Sequence, residues 1–379
     1  MIYLDNSATT KPYQEVIDSF TQVSQKYYGN PSSIHRTGAE AEKLLLRARQ
    51  QAADLLEVKE EEIVFTSGGT EGNNTAIKGI ALAHHNRGKH IITSQIEHPS
   101  VLEACKGLED FGFRVTYLPV NHQGLIEPAD VEAAITEETI LVSIMHVNNE
   151  LGAIQPIKEI GEITKRYPKL HFHVDHVQGF GKVPLSLSDS GIDLCTISGH
   201  KIHGLKGTGL LFAKKGTHLF PLMHGGGQER SIRSGTENLA GSVALVKAIR
   251  LILEEQRQKS QHLLDMKERL WNCLDGMEQV TTNSPAGHAP HIINISVPGY
   301  KPEVLIHALS EKGFYISTKS ACSSKNEDVS SVLAACGLSE SRSSSALRIS
   351  LSYHNQLQEI EGFCKAFDEV LHQFSEIMG

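Results

Sequence analysis

Six short runs in this chain, HIITS, RVTYLPV, TILVSIM, LHFHVD, LCTIS and GTGLLFA, are mostly apolar from end to end. A strand that faces water on one side alternates apolar and polar residues. These runs do not, so both of their faces must be covered. Helix-like stretches such as PSVLEACKGLEDFG and PIKEIGEITKRY lie between several of them. Strands alternating with helices predict an α/β fold, a mainly parallel sheet with helices on both sides. Upstream, His35 to Glu57 repeats apolar residues at helical spacing, and EEIVFTSGG follows as a strand that breaks on glycines.

The pattern changes after Asn238. A long helical stretch, LAGSVALVKAIRLILEEQRQKSQHLLDMKERLWNCL, leads to HIINISV, a helix near PEVLIHALSEKG, FYIS, a polar loop, ALRISLS and a last helix. Fewer strands, spaced by helices, read as a smaller α+β domain, with the boundary inside the long helix near Gln256. A chain of 379 residues has room for both domains in one body. Lys and Arg total 36 against 44 Asp and Glu, a net charge of −8, which argues against extensive contact with a phosphate backbone. The 6 cysteines are scattered without a CxxC pair, which argues against a disulfide scaffold and a structural zinc site. No apolar run approaches bilayer length and MIYLDNSATT has no leader pattern, so the expectation is a cytoplasmic protein.

In open α/β sheets ligands sit at the carboxyl ends of strands, so the residues just after the strands are where chemistry is sought. SGHKIHGLKGTGLLF sets Lys201 directly after LCTIS, in a turn crowded by Ser198, His200 and glycines. Such a lysine is ordinarily a solvated bystander; beside an aromatic aldehyde it can lose its proton and form an imine. Neither GxGxxG nor a P-loop pattern occurs there, which removes the dinucleotide and nucleotide-triphosphate readings. FTSGGTEGNNTAIKG places Gly69 and Thr70 at a helix start, either as an anion site or as a plain capped turn.

HFHVDHVQ ends a strand in Asp175, with Gln178 beyond. A carboxylate buried there needs a cationic or N–H partner: a protonated pyridine nitrogen, a capped turn or a salt bridge. His171, His173, Asp175 and His176 also stand close enough to be weighed as a metal set, which ranks below the cofactor reading. His98, before Pro99, could stack on a flat ring and shuttle protons, or be structural. Asn149 offers a neutral donor, and Thr236 in GGGQERSIRSGTEN a hydroxyl for a phosphate, in this chain or a neighbouring subunit. Cys322 lies among small polar residues, unlike Cys105, Cys195 and Cys364, and Lys319 and Lys325 would favour its thiolate. Arg348, in ALRISLS, is either half of a salt bridge or a clamp for a substrate carboxylate.

YLDNSATT, YGNPSSIH, FTSGGTEGNNTAIKG, IEHPSVL, VNNELG, VDHVQ, SGHKIHG, GGGQERSIRSGT and SACSS follow one another from Tyr3 towards Arg348. Together they resemble the cysteine desulfurases of the class-V aminotransferase-like group. The resemblance implies a fold-type I homodimer that binds pyridoxal 5′-phosphate, with a large domain over 13–256 and a small one over 1–12 and 257–379. It implies that Lys201 takes the cofactor's aldehyde, His98 stacks on the ring and moves protons, and Asp175 pairs with the pyridine nitrogen. Gln178 and Asn149 would contact the phenolic oxygen. Gly69, Thr70, Ser198 and His200 would hold the phosphate, with Thr236 reaching in from the partner subunit.

By the same resemblance Arg348 and Asn149 meet the substrate, L-cysteine, and Cys322 is the nucleophile. The implied products are L-alanine and a persulfide on Cys322, which the loop passes to an acceptor protein. Two departures stand out: GLKG where relatives have GPKG, and His176 where they have a small residue. Neither removes a functional group. The last helix runs out at Gly379 without the extension that some relatives use to dock an iron–sulfur scaffold, so a tRNA-thiolation enzyme is expected as acceptor ahead of a scaffold. No metal, membrane or direct nucleic-acid partner is expected.

Overall fold

The computed structural model describes residues 1–318 and 329–378. A short strand, β1 (Ile2–Tyr3), precedes helices α1 (Gln14–Lys26) and α2 (Arg36–Leu56). The second of these is the periodic stretch read from sequence, buried along Ala41, Leu45, Ala48, Ala52 and capped by His35, whose ring accepts from the Gly38 N–H. Strands and helices then alternate: β2 (Ile63–Thr66), α3 (Gly69–His84), β3 (His90–Ser94), α4 (Pro99–Glu109), β4 (Arg114–Leu118), α5 (Pro128–Ala134), β5 (Thr139–Met145), α6 (Ile157–Thr164) and β6 (His171–Asp175). Two strands follow without an intervening long helix, β7 (Leu194–Ser198) and β8 (Gly209–Ala213).

These strands form one 7-stranded sheet in the order β2-β8-β7-β6-β5-β3-β4. Every pair is parallel except the two that involve β8. Because β8 alone is reversed, β2 and β7 on either side of it still run the same way. The carboxyl ends of β2, β3, β5, β6 and β7 therefore meet on one edge of the sheet. Interior strands such as β5 and β7 are buried at every residue, as their unbroken apolar sequences require, whereas the edge strand β4 is only partly covered.

The opposite edge, β2, is closed by side chains. The Phe65 N–H donates to Glu229, and Arg49 and Arg230 both donate to the Ile63 carbonyl, so the unpaired backbone groups of this edge are satisfied. Arg49 and Glu229 form a buried two-pronged ion pair at 2.7 Å. It holds three consecutive residues, Glu229, Arg230 and Ser231, in the left-handed backbone region.

A single helix of 37 residues, α7 (Leu239–Asp275), leaves the large sheet, started by Asn238, whose side chain accepts from Gly241 N–H. Beyond it lie β9 (Thr281–Thr282), β10 (Ile292–Ser296), α8 (Pro302–Glu311), β11 (Phe314–Tyr315), α9 (Ser331–Ala335), α10 (Glu340–Ser344), β12 (Ala346–Ser350) and α11 (Leu357–Met378). β12, β10 and β9 make a separate antiparallel sheet, and α11 packs on α7 and α8. β1 pairs with β11, and Asp5 bridges to Ser350, so the first residues of the chain join its last third.

FYIS forms a strand only over Phe314 and Tyr315. Scattered spacing did not suggest that Cys273 of α7 and Cys364 of α11 would pair, yet they form a disulfide. The packing of the two helices brings their Cα atoms to 6.3 Å across 91 residues of sequence. Among the described residues no helix is long and apolar enough to cross a membrane.

Candidate active site

A cavity of about 160 Å³ opens at the carboxyl edge of the large sheet, lined among others by Ser7, Asn73, His98, Asp175, Lys201 and Arg348. One wall is the start of α3. The chain turns there at Gly68, whose φ of +151° disfavours any side chain, and no side chain caps the helix. The plain capped turn considered for Thr70 is therefore not what forms. Free N–H groups with the helix dipole behind them face the cavity. The Ser198 hydroxyl, at the end of β7, is buried without a partner and lies beside the Gly68–Gly69 turn. An orphaned hydroxyl at an uncapped helix start fits a phosphate group.

The floor is a polar chain. Asp175, at the end of β6, accepts from Val177 N–H at 3.0 Å and from Asn73 Nδ2 at 2.8 Å. Asn73 sits one helical turn beyond Gly69, on the same face of α3. Its amide also donates to Ser100 Oγ, and Ser100 Oγ lies 2.8 Å from His98 Nδ1. The Ser100 backbone N–H donates to that same Nδ1, which makes the His98 ring the cap of α4 and leaves Nε2 to carry the proton. Burial holds His98 below its ordinary range despite the opposing pull of Asp175, and the charge on Lys201 adds to the lowering. Its ring is thus neutral at pH 7, suited to lying against a flat aromatic system.

Lys201 follows β7 and points at the N-terminal segment, where its Nζ donates to the carbonyls of Ser7 and Ala8. That segment is strapped across the site: Thr10 bonds to the His200 carbonyl through both its N–H and its hydroxyl. Gln178 Nε2 donates to the Ser7 carbonyl at 2.9 Å. His200 lines the cavity, and burial followed by the neighbouring Lys201 pushes it down to about 4.

Arg348 comes from β12, in the other sheet, and is 1% exposed. Nη1 donates to the Asn149 carbonyl at 2.8 Å, and Nη2 donates to Ser317 Oγ and to Asp5. Its Nε is buried without a partner. The guanidinium is thus half of an ion pair with Asp5, the salt-bridge reading made from sequence, and the residue also lines the cavity.

The structure thus brings Gly69, Thr70, His98, Asn149, Asp175, Gln178, Ser198, His200, Lys201 and Arg348 around one cavity. Thr236 is exposed and does not line it. Cys322, Lys319 and Lys325 lie outside the described residues. Sequence reasoning missed Ser7, Asn73 and Ser100, and also Glu97, buried one residue before His98. A spacing of four residues after Gly69 was the only available signal for Asn73. The metal set does not form: His173 is spent on Ser143 and Thr196, and His176 pairs with His146. Among the described residues no group of three or more ligating side chains is arranged for a metal ion.

The donor set suits pyridoxal phosphate: an amine, an anion cradle, a carboxylate fixed by two donors and a neutral imidazole around one cavity. Comparison with known proteins agrees. The aminotransferase class-V family model matches residues 2–363. A NifS/IcsS protein homolog of Lactobacillus delbrueckii subsp. bulgaricus is 48% identical, over 100% of this chain and 99% of that protein. The cysteine desulfurase IscS of Methanosarcina thermophila is 43% identical, over 98% of this chain and 92% of that protein. A solved NifS-like protein superimposes with a TM-score of 0.92 at 36% identity, covering 98% of this chain and 99% of that one.

Proposed function

This chain belongs to the class-V aminotransferase family, and from that premise we propose that it is a pyridoxal 5′-phosphate-dependent cysteine desulfurase whose nucleophile is Cys322. The observation that carries the reading is the meeting of Lys201, the orphaned Ser198 hydroxyl at the α3 start and Asp175 in one cavity. Two full-length relatives at 40% identity or more support the substrate class, L-cysteine.

Bound there, the cofactor supplies an electron-withdrawing ring that stabilises negative charge on the substrate's α-carbon. Gly69, Thr70, Ser198 and His200 hold its phosphate, Asp175 its ring nitrogen, and Gln178 with Asn149 its phenolic oxygen. His98 covers the ring face and, with its proton on Nε2, can hand that proton to a reacting group. Lys201 is the amine that carries the cofactor and can move the α-proton. Arg348, already fixed by Asn149, Ser317 and Asp5, turns its unpaired Nε to the substrate carboxylate.

Cys322 thiolate then attacks the sulfur of L-cysteine. A sulfur–sulfur bond forms, the carbon–sulfur bond breaks, and its electron pair stays with the carbon skeleton, which leaves as L-alanine after protonation. The persulfide left on Cys322 goes to an acceptor protein, a tRNA-thiolation enzyme or an iron–sulfur scaffold. We take the protein to be a cytoplasmic homodimer in which Thr236 acts across the interface on the phosphate held by the other copy. The domains divide at 1–12, 13–256 and 257–379, a division supported by the separation of the 7-stranded sheet from the β12-β10-β9 sheet and the β1-β11 pair.

Purified protein loaded with cofactor should show a visible band that borohydride bleaches, with the reduced adduct on Lys201. Cys322→Ala should keep that band and lose cysteine-dependent sulfide release, and mass spectrometry of the wild type after cysteine should find added sulfur on Cys322. Sulfide release that survives the substitution sinks the assignment of the nucleophile. Transfer assays with both acceptor types decide between the acceptors.

A further inference from the structure

The turn after Gln178 sends a lysine into the protein rather than out of it. A side chain at Gly181, where φ is +69°, would press on Ile252 of α7, and one at Gly179 would land on the rings of His146 and His176. Only glycines let the turn pack so closely. Lys182 is consequently 5% exposed, and its Nζ donates to the backbone carbonyl of Lys201 at 2.9 Å. No carboxylate pairs with it among the described residues. A buried ammonium held by a carbonyl is costly unless its charge has a use.

The groups packed around it are basic. Lys201 and His203 of the turn after β7, His176 of the turn after β6 and His291 before β10 interact with it electrostatically, while Tyr353 Oη donates to the Gly181 carbonyl. Burial holds all three histidines far below their ordinary range, so they are neutral at pH 7. On the cavity side of Lys201, His98 and His200 are held down in the same way.

We propose that Lys182 is a positioning residue for Lys201: it fixes the Lys201 backbone through its carbonyl and, as a cation behind it, lowers the proton affinity of the Lys201 amine. The inference rests on Lys201 being the cofactor lysine. The coupling is mutual, because an interaction between two charges acts equally on both. Burial and then Lys201 draw Lys182 down to about 7, so Lys182 must act on Lys201 in return.

The test titrates the visible absorbance of the cofactor-loaded protein from about pH 5 to about pH 10 and, on the unloaded chain, the acylation of Lys201 read by peptide mass spectrometry. Lys182→Gln keeps a donor but loses the charge, and should raise both midpoints by about one pH unit, about tenfold in proton affinity. Lys182→Arg holds the charge across the whole pH range and should leave both midpoints in place or lower them, never raise them. Midpoints that move equally in both variants, or in neither, overturn the proposal. Should the glutamine variant not fold, the wild type decides: two coupled groups give a titration that departs from a single-site curve, and a clean single-site curve overturns the proposal. A wild-type protein that shows no visible band after loading sinks the reading of Lys201 instead.

Discussion

Glu97 offers the most direct check on the electrostatics of the site. Its carboxyl is fully enclosed beneath His98, with one oxygen accepting from Ser94 Oγ at 2.7 Å and from Met145 N–H at 3.0 Å, and the other without a partner. Burial, against these two donors and helped by the charge of Asp175, pushes the acid up to about 8, so at neutral pH the proton stays on. An acid raised in the folded state stabilises it fully below the unfolded value of 4.5 and loses that contribution as pH climbs to about 8. At about 1.4 kcal/mol per pH unit, the gap amounts to roughly 5 kcal/mol. Glu97→Gln keeps the shape and the accepting oxygen but cannot ionise. Urea unfolding at a series of pH values should show the two proteins close together near pH 5 and the variant more stable by several kcal/mol near pH 8. A difference in stability that stays constant across this range would refute the reasoning, because it would mean that Glu97 does not change charge there.

Two further substitutions test the framework. Arg348→Lys keeps a positive charge but cannot reach Asn149, Ser317, Asp5 and the cavity together. The KM for L-cysteine should rise about tenfold or more while the cofactor absorbance is unchanged, and a KM within about twofold of wild type would contradict its role. Arg49→Met strands the Glu229 carboxylate, whose side chain is 3% exposed, and removes a donor from the β2 edge. Unfolding stability should fall by about 3–5 kcal/mol, and an unchanged urea midpoint would show that the edge is not held this way.

Much of the large sheet was legible because its strands are buried on both faces, and such burial leaves an unbroken apolar run in the sequence. Lys201 and Asp175 were legible for a related reason: polar residues directly after such runs fall at the carboxyl ends of strands, where the parallel arrangement leaves room. Direction was not legible. GLLFA is apolar on both faces whichever way it runs, so nothing in it announced that β8 alone would be reversed. Asn73, Ser100 and Ser7 carry no local mark, since an amide or hydroxyl in a helix or loop looks the same whether it faces water or a carboxylate. The strand fragments β1 and β9 were passed over because each is two residues long, and helix α1 was passed over although it is amphipathic.

By itself the sequence determined which residues could carry chemistry and which segments must be covered, because both are properties of side chains and their spacing. Only the tertiary structure decided that Arg348, from a second sheet, would share a cavity with Lys201. It alone settled that the first ten residues would lie across that cavity, and that a second lysine, Lys182, would be buried behind Lys201. Those outcomes depend on contacts between segments more than a hundred residues apart or on the close approach of two turns. Periodicity tells which face of a segment is covered, but it says nothing about what covers it.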